Sequence, residues 1–302
     1  MNEGAKKHIF DITRRWLAPD RDKLTELGSP ANADSKGIDG IDGWRLDVPN
    51  CIVQNFWTGW RRVVKSVNPN AYTVGEIWEL AKSWLTGEQF DAVMNYEFNK
   101  AICRFFYPGG KTAAITASEF ARQIIALLDN YSFEVNFTLQ NLLSSHDIDR
   151  ISSAIYNRSG WKQGRIQDDN PHYNSNCPDD TSFAILKLIA AFQMTWPGAP
   201  MIYYGDEIGM FGADDPSNRM PMWWQDLMPY NNPSYKIRYD LRDNFKYLIA
   251  LRNTYPQLRT GAVKMLFADN TNGILVYKRT DGKKNIIIVL NNSGAAHTGN
   301  YT

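Results

Sequence analysis

Apolar residues along this chain follow two patterns that alternate. Short apolar runs, bounded by glycine, proline or charged residues, are separated by longer stretches in which apolar positions return every three or four residues. The short runs predict strands and the longer stretches predict amphipathic helices. Because the short runs are continuously apolar, they predict strands buried on both faces, as in a parallel sheet covered by helices.

The predicted elements alternate over most of the chain. Strands are predicted at 40–47, 71–76, 91–95, 141–145 and 200–204. Helices are predicted at 5–17, 52–64, 112–128, 181–195 and 235–255. Pro19 ends the first helix, and Pro69 ends the second. Residues 20–37 are polar and interrupted by Pro and Gly, which predicts a loop.

After residue 258 the pattern changes. Short β-runs at 263–268, 273–279 and 285–290 are separated by Asn-Gly and Asp-Gly turns, which are typical of hairpins. The sequence therefore predicts two domains, an α/β domain over 1–258 and the beginning of a small antiparallel β-domain over 259–302.

The first strand ends on two charged side chains of opposite sign. Arg45 and Asp47 are two residues apart, so on a strand they project to the same face. A neighbouring cation favours the ionised form of a carboxyl group, which is what a carboxylate nucleophile requires. For this pair alone, a structural ion pair is the better interpretation.

Two further predicted strands also end on carboxyl groups. Glu76 ends the second strand, and His146 followed by Asp147 ends the fourth. In a parallel β/α barrel, the carboxyl ends of the strands meet at one pocket. Three carboxyl groups there would divide into an ionised nucleophile and a protonated acid, the pair that glycoside hydrolysis needs. Glu76 lies beside Ile77 and Trp78, and an apolar setting of this kind favours the protonated form.

These strand ends also carry a family resemblance. Gly-Trp-Arg-Leu-Asp at 43–47, Val-Gly-Glu-Ile-Trp at 74–78 and Leu-Ser-Ser-His-Asp at 143–147 resemble three ordered motifs of the α-amylase family of retaining glycoside hydrolases. Asp-Ala-Val-Met-Asn-Tyr at 91–96, with the Glu-Ile-Trp form of the second motif, is most similar to the neopullulanase, cyclomaltodextrinase and maltogenic amylase branch. A further match lies at 198–207, and the resemblance runs from about residue 3 to 290.

The resemblance implies a role for each residue at the strand ends. By it, Asp47 is the nucleophile and Glu76 is the general acid and base. Asp147 binds hydroxyl groups of the distorted sugar and stabilises the oxocarbenium-like state, with His146 holding the same ring. Arg45 keeps Asp47 ionised and oriented.

The same resemblance places further substrate contacts outside these motifs. Trp78 would stack on the sugar on the leaving-group side, although packing in the core is an equally good interpretation. Asp215 and Arg219 match loop positions that contact more distant glucose units, and a solvated loop pair is the alternative. His146 as a packed histidine is the less favoured interpretation. Core packing or structural support, rather than substrate contact, is predicted for Met222, Trp223, Trp224 and Glu207.

The chain departs from the family pattern in its number of strands. The family barrel has eight strands, whereas five are predicted here. The fold expected is therefore a partial (β/α)8 TIM barrel with strands 4–8 present and strands 1–3 missing. We expect an internal piece of a longer enzyme that keeps the catalytic residues but has weak or no activity alone. Exposed strand edges leave homo-oligomer formation open.

Composition adds few constraints. Lys plus Arg is 33 and Asp plus Glu is 32, a net charge of +1 that favours neither a nucleic-acid nor a membrane partner. No apolar stretch is long enough to cross a membrane and no signal peptide is present, so the compartment stays unassigned. Aromatic residues reach 13%, which suits flat faces for sugar rings.

The three cysteines match no metal-ligand pattern and no disulfide framework, so all three are predicted to be small buried hydrophobic residues. No metal ligand is predicted in this chain. By the resemblance, calcium in a complete enzyme would involve an inserted domain that has no counterpart here.

The expected function is hydrolysis of α-1,4-glucosidic bonds in cyclodextrins, pullulan, starch or maltooligosaccharides. It would proceed through a covalent glycosyl-enzyme intermediate, with an α-glucan oligosaccharide as the only predicted partner. Two alternatives remain open at this point. One is a relative that acts on α-1,6 links, sucrose or trehalose, and the other is a relative without catalytic activity.

Overall fold

The computed structural model describes residues 2–19, 40–161 and 170–300. By compactness the chain divides into two units, residues 1–94 and residues 95–302. The predicted domain boundary after residue 258 is a different division and stays a prediction. The predicted loop at 20–37 lies outside the described residues.

The first unit is a small parallel sheet with helices. Its elements are α1 (Glu3–Leu17), β1 (Gly43–Leu46), α2 (Gln54–Val67), β2 (Tyr72–Gly75) and β3 (Ala92–Val93), with 3-10 turns at Pro49–Cys51 and Lys82–Trp84. The strands are parallel and lie in the order β1-β2-β3. Leu46 pairs with Gly75, and Gly75 pairs with Val93, so the strands end level with one another.

Aromatic side chains form the core of the first unit. The rings of Trp57 and Trp60 on α2 lie 5.6 Å apart, edge to face, and Phe90 packs on Trp57 at 5.4 Å. Trp60 Nε1 donates to Thr13 Oγ1 at 2.9 Å, which joins α2 to α1. Helix α1 has the predicted extent, but Trp16 is exposed because Thr13 and Leu17 form the buried face of the helix.

The second unit is mainly helical. Its helices are α3 (Tyr96–Phe106), α4 (Ala117–Leu128), α5 (Phe133–Thr138), α6 (Ile151–Asn157), α7 (Asp180–Thr195), α8 (Tyr239–Thr254) and α9 (Pro256–Thr260). Two strands, β4 (Gln140–Leu142) and β5 (Ala199–Met201), pair in parallel. Short 3-10 turns lie at Asp206–Ile208, Ser217–Arg219 and Gln225–Leu227.

An antiparallel sheet completes the second unit, as the sequence predicted. It consists of β6 (Ala262–Asp269), β7 (Ile274–Thr280) and β8 (Asn285–Asn291), with β7 in the middle. Tyr277 on β7 packs edge to face on Trp196 at 5.4 Å, and its hydroxyl group lies 2.5 Å from Thr195 Oγ1. The sheet therefore shares a hydrophobic core with α7.

The predicted strands and helices differ from the observed ones mainly in extent. The five predicted parallel strands are all present in the described residues, but each is shorter than predicted. Helices α3, α5, α6 and α9 were not predicted. Asn95 caps α3 by accepting from Phe98 N at 3.2 Å, a start signal hidden within the strand motif. Helix α4 begins only after Thr116, which forms a capping box with Glu119.

The prediction for the cysteines is right for one and wrong for two. Cys103 is buried, and burial raises the pKa of its thiol to about 12. Cys51 and Cys177 are exposed because both lie on surface connections, Cys51 in the 3-10 turn after β1 and Cys177 in the segment before α7. Separately, none of the described helices combines the length and the apolar character that a membrane crossing requires.

Candidate active site

Asp47 and Glu76 occupy equivalent positions on neighbouring strands. Each residue directly follows its strand, and Glu76 N donates to Leu46 O at 2.9 Å. The parallel register that pairs Leu46 with Gly75 therefore brings both carboxyl groups to the same edge of the sheet.

Arg45 contacts both of these carboxyl groups. Its Nη1 lies 2.7 Å from Asp47 Oδ1, and its Nη2 lies 2.9 Å from Glu76 Oε1. The two carboxyl groups differ in environment, since the side chain of Asp47 is 76% exposed and that of Glu76 is 4% exposed. The contact to Asp47 was expected from the sequence, whereas the contact to Glu76 was not. Residues 31 positions apart carry no local signal of such a pair.

Glu76 has two further neighbours. Trp78 Nε1 donates to Glu76 Oε1 at 3.3 Å, and Val48 N lies 3.4 Å from Glu76 Oε2. Trp78 is half-buried, so it combines a polar contact to the candidate acid with a partly accessible ring. Val48 has a left-handed backbone conformation, with φ 41° and ψ 50°, which turns its N–H towards Glu76.

In the second unit, Asp147 lies in an irregular segment that follows β4. His146 Nε2 is 2.9 Å from Asp147 Oδ2, and Asp147 N donates to Ser145 Oγ at 3.1 Å. His146 and Asp147 are half-buried rather than enclosed. The pair therefore presents an imidazole and a carboxylate together at the accessible end of β4.

The predicted loop residues Asp215 and Arg219 contact the same segment. Arg219 Nη2 lies 3.3 Å from Asp147 Oδ1, and Arg219 Nε donates to His146 O at 3.0 Å. The same Nε lies 3.0 Å from Asp215 Oδ1. Four of the residues singled out from sequence thus form one hydrogen-bonded group in this unit.

Asn218 completes this group and was missed in the sequence. Its side chain is fully buried, and Nδ2 donates to Ser145 O at 3.0 Å and to Ile148 O at 2.7 Å. No spacing or motif distinguishes an asparagine in a polar loop from its neighbours, so no sequence signal would have found it.

A buried charged network supports the base of the segment. Arg150 Nη1 lies 3.1 Å from Asp206 Oδ1, and the guanidinium carbon lies 4.7 and 4.8 Å from the ring centroids of Tyr203 and Tyr204. Ser144 Oγ donates to the other oxygen of Asp206. Burial raises the pKa of Asp206 to about 6, and Arg150 opposes that rise.

The residues after β5 serve mainly in packing. Trp223 is buried against Phe211, with ring centroids 5.5 Å apart, as predicted. Trp224 is exposed, so the packing role predicted for it is wrong. Within either unit taken alone, the described residues contain no group of three His, Cys, Asp or Glu side chains placed to bind one metal ion.

Comparison with known proteins places these features in a family. The family described as alpha amylase, catalytic domain, matches residues 35–247. The chain is 41% identical over 256 residues to a cyclomaltodextrinase of Geobacillus thermopakistaniensis, which covers 85% of this chain and 37% of that protein. It is 35% identical over 297 residues to neopullulanase 2 of Thermoactinomyces vulgaris, which covers 98% of this chain and 41% of that protein.

A solved structure of a glycoside hydrolase is also similar to this chain. The cyclic α-maltosyl-(1→6)-maltose hydrolase from Arthrobacter globiformis superimposes with a TM-score of 0.71 at 28% identity, covering 96% of this chain and 53% of that chain. Of the cyclomaltodextrinase and the neopullulanase, this chain spans only 37% and 41% of the length.

Proposed function

The chain belongs to the α-amylase family and has the fold of that family's catalytic domain, and on this premise we propose that it carries the catalytic carboxyl groups of a retaining glycoside hydrolase. The proposed substrates are α-1,4-linked glucans such as cyclodextrins, pullulan, starch or maltooligosaccharides. The named relatives, a cyclomaltodextrinase and a neopullulanase, support this substrate class.

The proposed mechanism has two displacements. The Asp47 carboxylate attacks the anomeric carbon while Glu76 gives its proton to the departing glycosidic oxygen, so that a glycosyl ester forms on Asp47. Glu76, now ionised, takes a proton from water, and the resulting oxygen nucleophile attacks the same carbon. The ester bond breaks, Asp47 is released as a carboxylate, and the anomeric configuration is retained.

The observation that carries this proposal is the shared contact of Arg45. Two nitrogens of one guanidinium group hold Asp47 at 2.7 Å and Glu76 at 2.9 Å, so both carboxyl groups lie within the reach of one planar side chain. Retaining glycosidases need a separation of about 5–5.5 Å between their two carboxyl groups. The exposed carboxyl group of Asp47 is accessible to the sugar, and Arg45 holds the buried Glu76 next to it at the same edge of the sheet.

The remaining residues would bind the substrate. Asp147 and His146 would hold hydroxyl groups of the reacting sugar, and the ring of Trp78 would stack on the leaving-group side. Asp215 and Arg219 would contact glucose units further away. We further propose that β1–β5 correspond to strands 4–8 of the family barrel, followed after residue 258 by part of a small β-domain.

Covalent labelling tests the two-step mechanism. A fluorinated glucosyl fluoride that forms the glycosyl ester but hydrolyses slowly should add one sugar per chain, and peptide mapping should place it on Asp47. Asp47→Asn should not be labelled, while the exposed control Asp226→Asn should be labelled as the parent chain is. Turnover of maltooligosaccharide with the label at another residue would reject the assignment.

A second candidate function is cleavage of α-1,6 links. It is favoured by the likeness to a hydrolase named for cyclic α-maltosyl-(1→6)-maltose, a sugar that contains that bond. Pullulan distinguishes the two activities, because α-1,6 cleavage releases maltotriose whereas α-1,4 cleavage releases a trisaccharide that retains the α-1,6 link. Chromatography of the products decides between them, and the absence of any product with pullulan, cyclodextrin, sucrose or trehalose would favour a non-catalytic relative.

A further inference from the structure

The segment that carries His146 and Asp147 lacks regular backbone pairing. It follows β4 as turns and bends over 143–150. Its backbone contacts include Asp147 N to Ser145 Oγ at 3.1 Å and Arg150 N to Gly212 O at 3.1 Å. The direction of the Asp147 side chain therefore depends on groups from elsewhere in the second unit.

Asn218 brackets this segment from one side. A single amide nitrogen, Nδ2, donates to the carbonyl oxygens of Ser145 and Ile148, which lie immediately before and after the His146-Asp147 pair. Holding both ends restricts the backbone rotations by which Asp147 could turn. Buried carbonyl groups also strongly favour keeping a donor in place.

Asn218 is itself held firmly. It lies in the 3-10 turn Ser217–Arg219, and its carbonyl oxygen accepts from the hydroxyl group of Tyr203 at 3.3 Å. A Cβ atom at Gly212 would lie 2.5 Å from Ser217 O, so the neighbouring backbone packs tightly against this turn. The amide group thus joins this tightly packed turn to the Asp147 segment.

The other contacts of Asp147 act differently. His146 and Arg219 touch its carboxylate directly, at 2.9 and 3.3 Å, and both are partly exposed side chains. Asn218 touches only the backbone, is 0% exposed and carries no charge. Its removal therefore leaves the charge of the candidate site unchanged, whereas replacement of Arg219 by an uncharged residue does not.

We propose that Asn218 is a positioning residue that fixes the orientation of Asp147 in the candidate active site. This inference rests on the proposed function, since it assigns to Asp147 a role in the transition state. A carboxylate that binds mainly the transition state affects kcat more than KM when it is displaced. A displacement of about 1 Å typically costs about 100-fold in rate.

Two variants of Asn218 test the proposal. Asn218→Ala removes the bracketing amide and is expected to lower kcat about 10- to 100-fold, with KM within about twofold. Asn218→Asp keeps the shape but directs an acceptor at two carbonyl oxygens, and its loss of kcat should exceed that of the alanine variant. A change in KM alone, or wild-type kcat in either variant, would overturn the inference.

Asn136 provides a matched control. It is also buried, at 8% exposure, and its Nδ2 donates to the carbonyl oxygen of Leu128 at 2.9 Å. It lies in α5, before the amino end of β4, on the opposite side of the strand from Asp147. Asn136→Ala should lower the unfolding midpoint as Asn218→Ala does, but it should leave kcat per folded molecule unchanged. Equal losses of kcat in both variants would mean that only stability is involved.

Hydrogen–deuterium exchange gives a readout that does not need activity. Asn218→Ala should raise the exchange of the peptide spanning 145–150 at least tenfold while the β6–β8 peptides keep wild-type protection, and Asn136→Ala should not. If neither the parent chain nor a longer form that carries a complete eight-stranded barrel turns over α-glucans or is labelled on Asp47, the proposed function fails. In that case hydrogen–deuterium exchange still tests whether Asn218 holds the segment around Asp147. If exchange at 145–150 is the same in Asn218→Ala as in the parent chain, the inference is rejected.

Discussion

Arg45 and Glu76 form an ion pair, with 2.9 Å between Nη2 and Oε1, although the carboxyl group of Glu76 is almost completely buried. The other arm of the guanidinium group holds the exposed Asp47 at 2.7 Å. One cation therefore compensates two carboxyl groups that would otherwise repel each other. The planar fork of arginine makes this double contact geometrically natural, and the single ammonium group of lysine cannot reproduce it.

This relationship predicts the effect of replacing Arg45. Arg45→Lys keeps the charge but loses one arm, so we expect kcat and the rate of covalent labelling to fall about 100-fold. Arg61→Lys is the control, since Arg61 pairs with Asp91 at the opposite end of the sheet. The control should retain wild-type kcat. Equal rates for Arg45→Lys and the parent chain would contradict a shared positioning role.

From the buried carboxyl group of Asp149 we expect the stability of the chain to change with pH. Burial raises the pKa of this carboxyl group from 3.8 to about 6, despite hydrogen bonds from Tyr173 and Ser159. The native state then holds an extra proton between about pH 4 and pH 6, so this residue's contribution to stability decreases as pH rises through that window. Above pH 6, the free energy of unfolding of Asp149→Asn should exceed that of the parent chain by about 3 kcal/mol.

Urea denaturation at pH 4 and pH 7.5 measures this difference. At pH 4 the two chains should be nearly equal in stability, because that pH lies close to the ordinary pKa of 3.8 and little of the stability difference has yet developed. The exposed Asp226→Asn serves as control and should match the parent chain at both pH values. A stabilisation of Asp149→Asn that is the same at both pH values would contradict the prediction.

For Asp91 we expect the opposite dependence of stability on pH. Burial opposes its ionisation, but donors from Arg61, Lys65 and Thr73 N outweigh burial, and the pKa of the carboxyl group lies below its ordinary value. Such a group contributes stability above the unfolded-state pKa, and that contribution is lost as pH falls through the lower native value. Asp91→Asn should cost about 2 kcal/mol at pH 7. In urea titrations the cost should shrink towards pH 3, and an unchanged cost there would exclude a charge effect.

At Val48 we expect glycine to give a more stable protein than alanine, the reverse of the usual order in a helix. Val48 is β-branched, precedes Pro49 and has a left-handed backbone, a combination that costs about 1–3 kcal/mol. Because only glycine adopts this conformation without strain, Val48→Gly should be about 1 kcal/mol more stable than Val48→Ala in thermal unfolding. At the exposed Arg122 in helix α4 the order should reverse, since alanine is the better helix former. A more stable Val48→Ala would exclude strain at this position.

The family and the general fold could be predicted because their signals are local. Each strand motif places an apolar run directly before a carboxyl group, and the resemblance of these motifs to the α-amylase family is confirmed. The antiparallel sheet was predicted from turn residues that act over a few positions. Helix α3 was missed because its cap, Asn95, lies within the motif that also predicts β3.

The contacts around the candidate site also divide into a local one, which could be predicted from the sequence, and long-range ones, which could not. The pair of Arg45 and Asp47 follows from strand geometry, since residues two apart project to one face. The pair of Arg45 and Glu76 depends on the register of two strands, and the bracketing by Asn218 depends on a loop more than 70 residues from Asp147. Neither of these long-range contacts produces a periodic pattern that could be recognised in the sequence.

By itself, the sequence determined the family, the order of strands and helices, and which residues end each strand, because backbone preference and hydrophobic pattern act between near neighbours. Tertiary structure alone decided the environment of those residues: Glu76 is buried and Asp47 exposed on one guanidinium group, and a buried amide binds the backbone on both sides of Asp147. Burial and hydrogen bonding between distant residues arise only when the chain packs, and they set which carboxyl groups are exposed and which partners each one contacts.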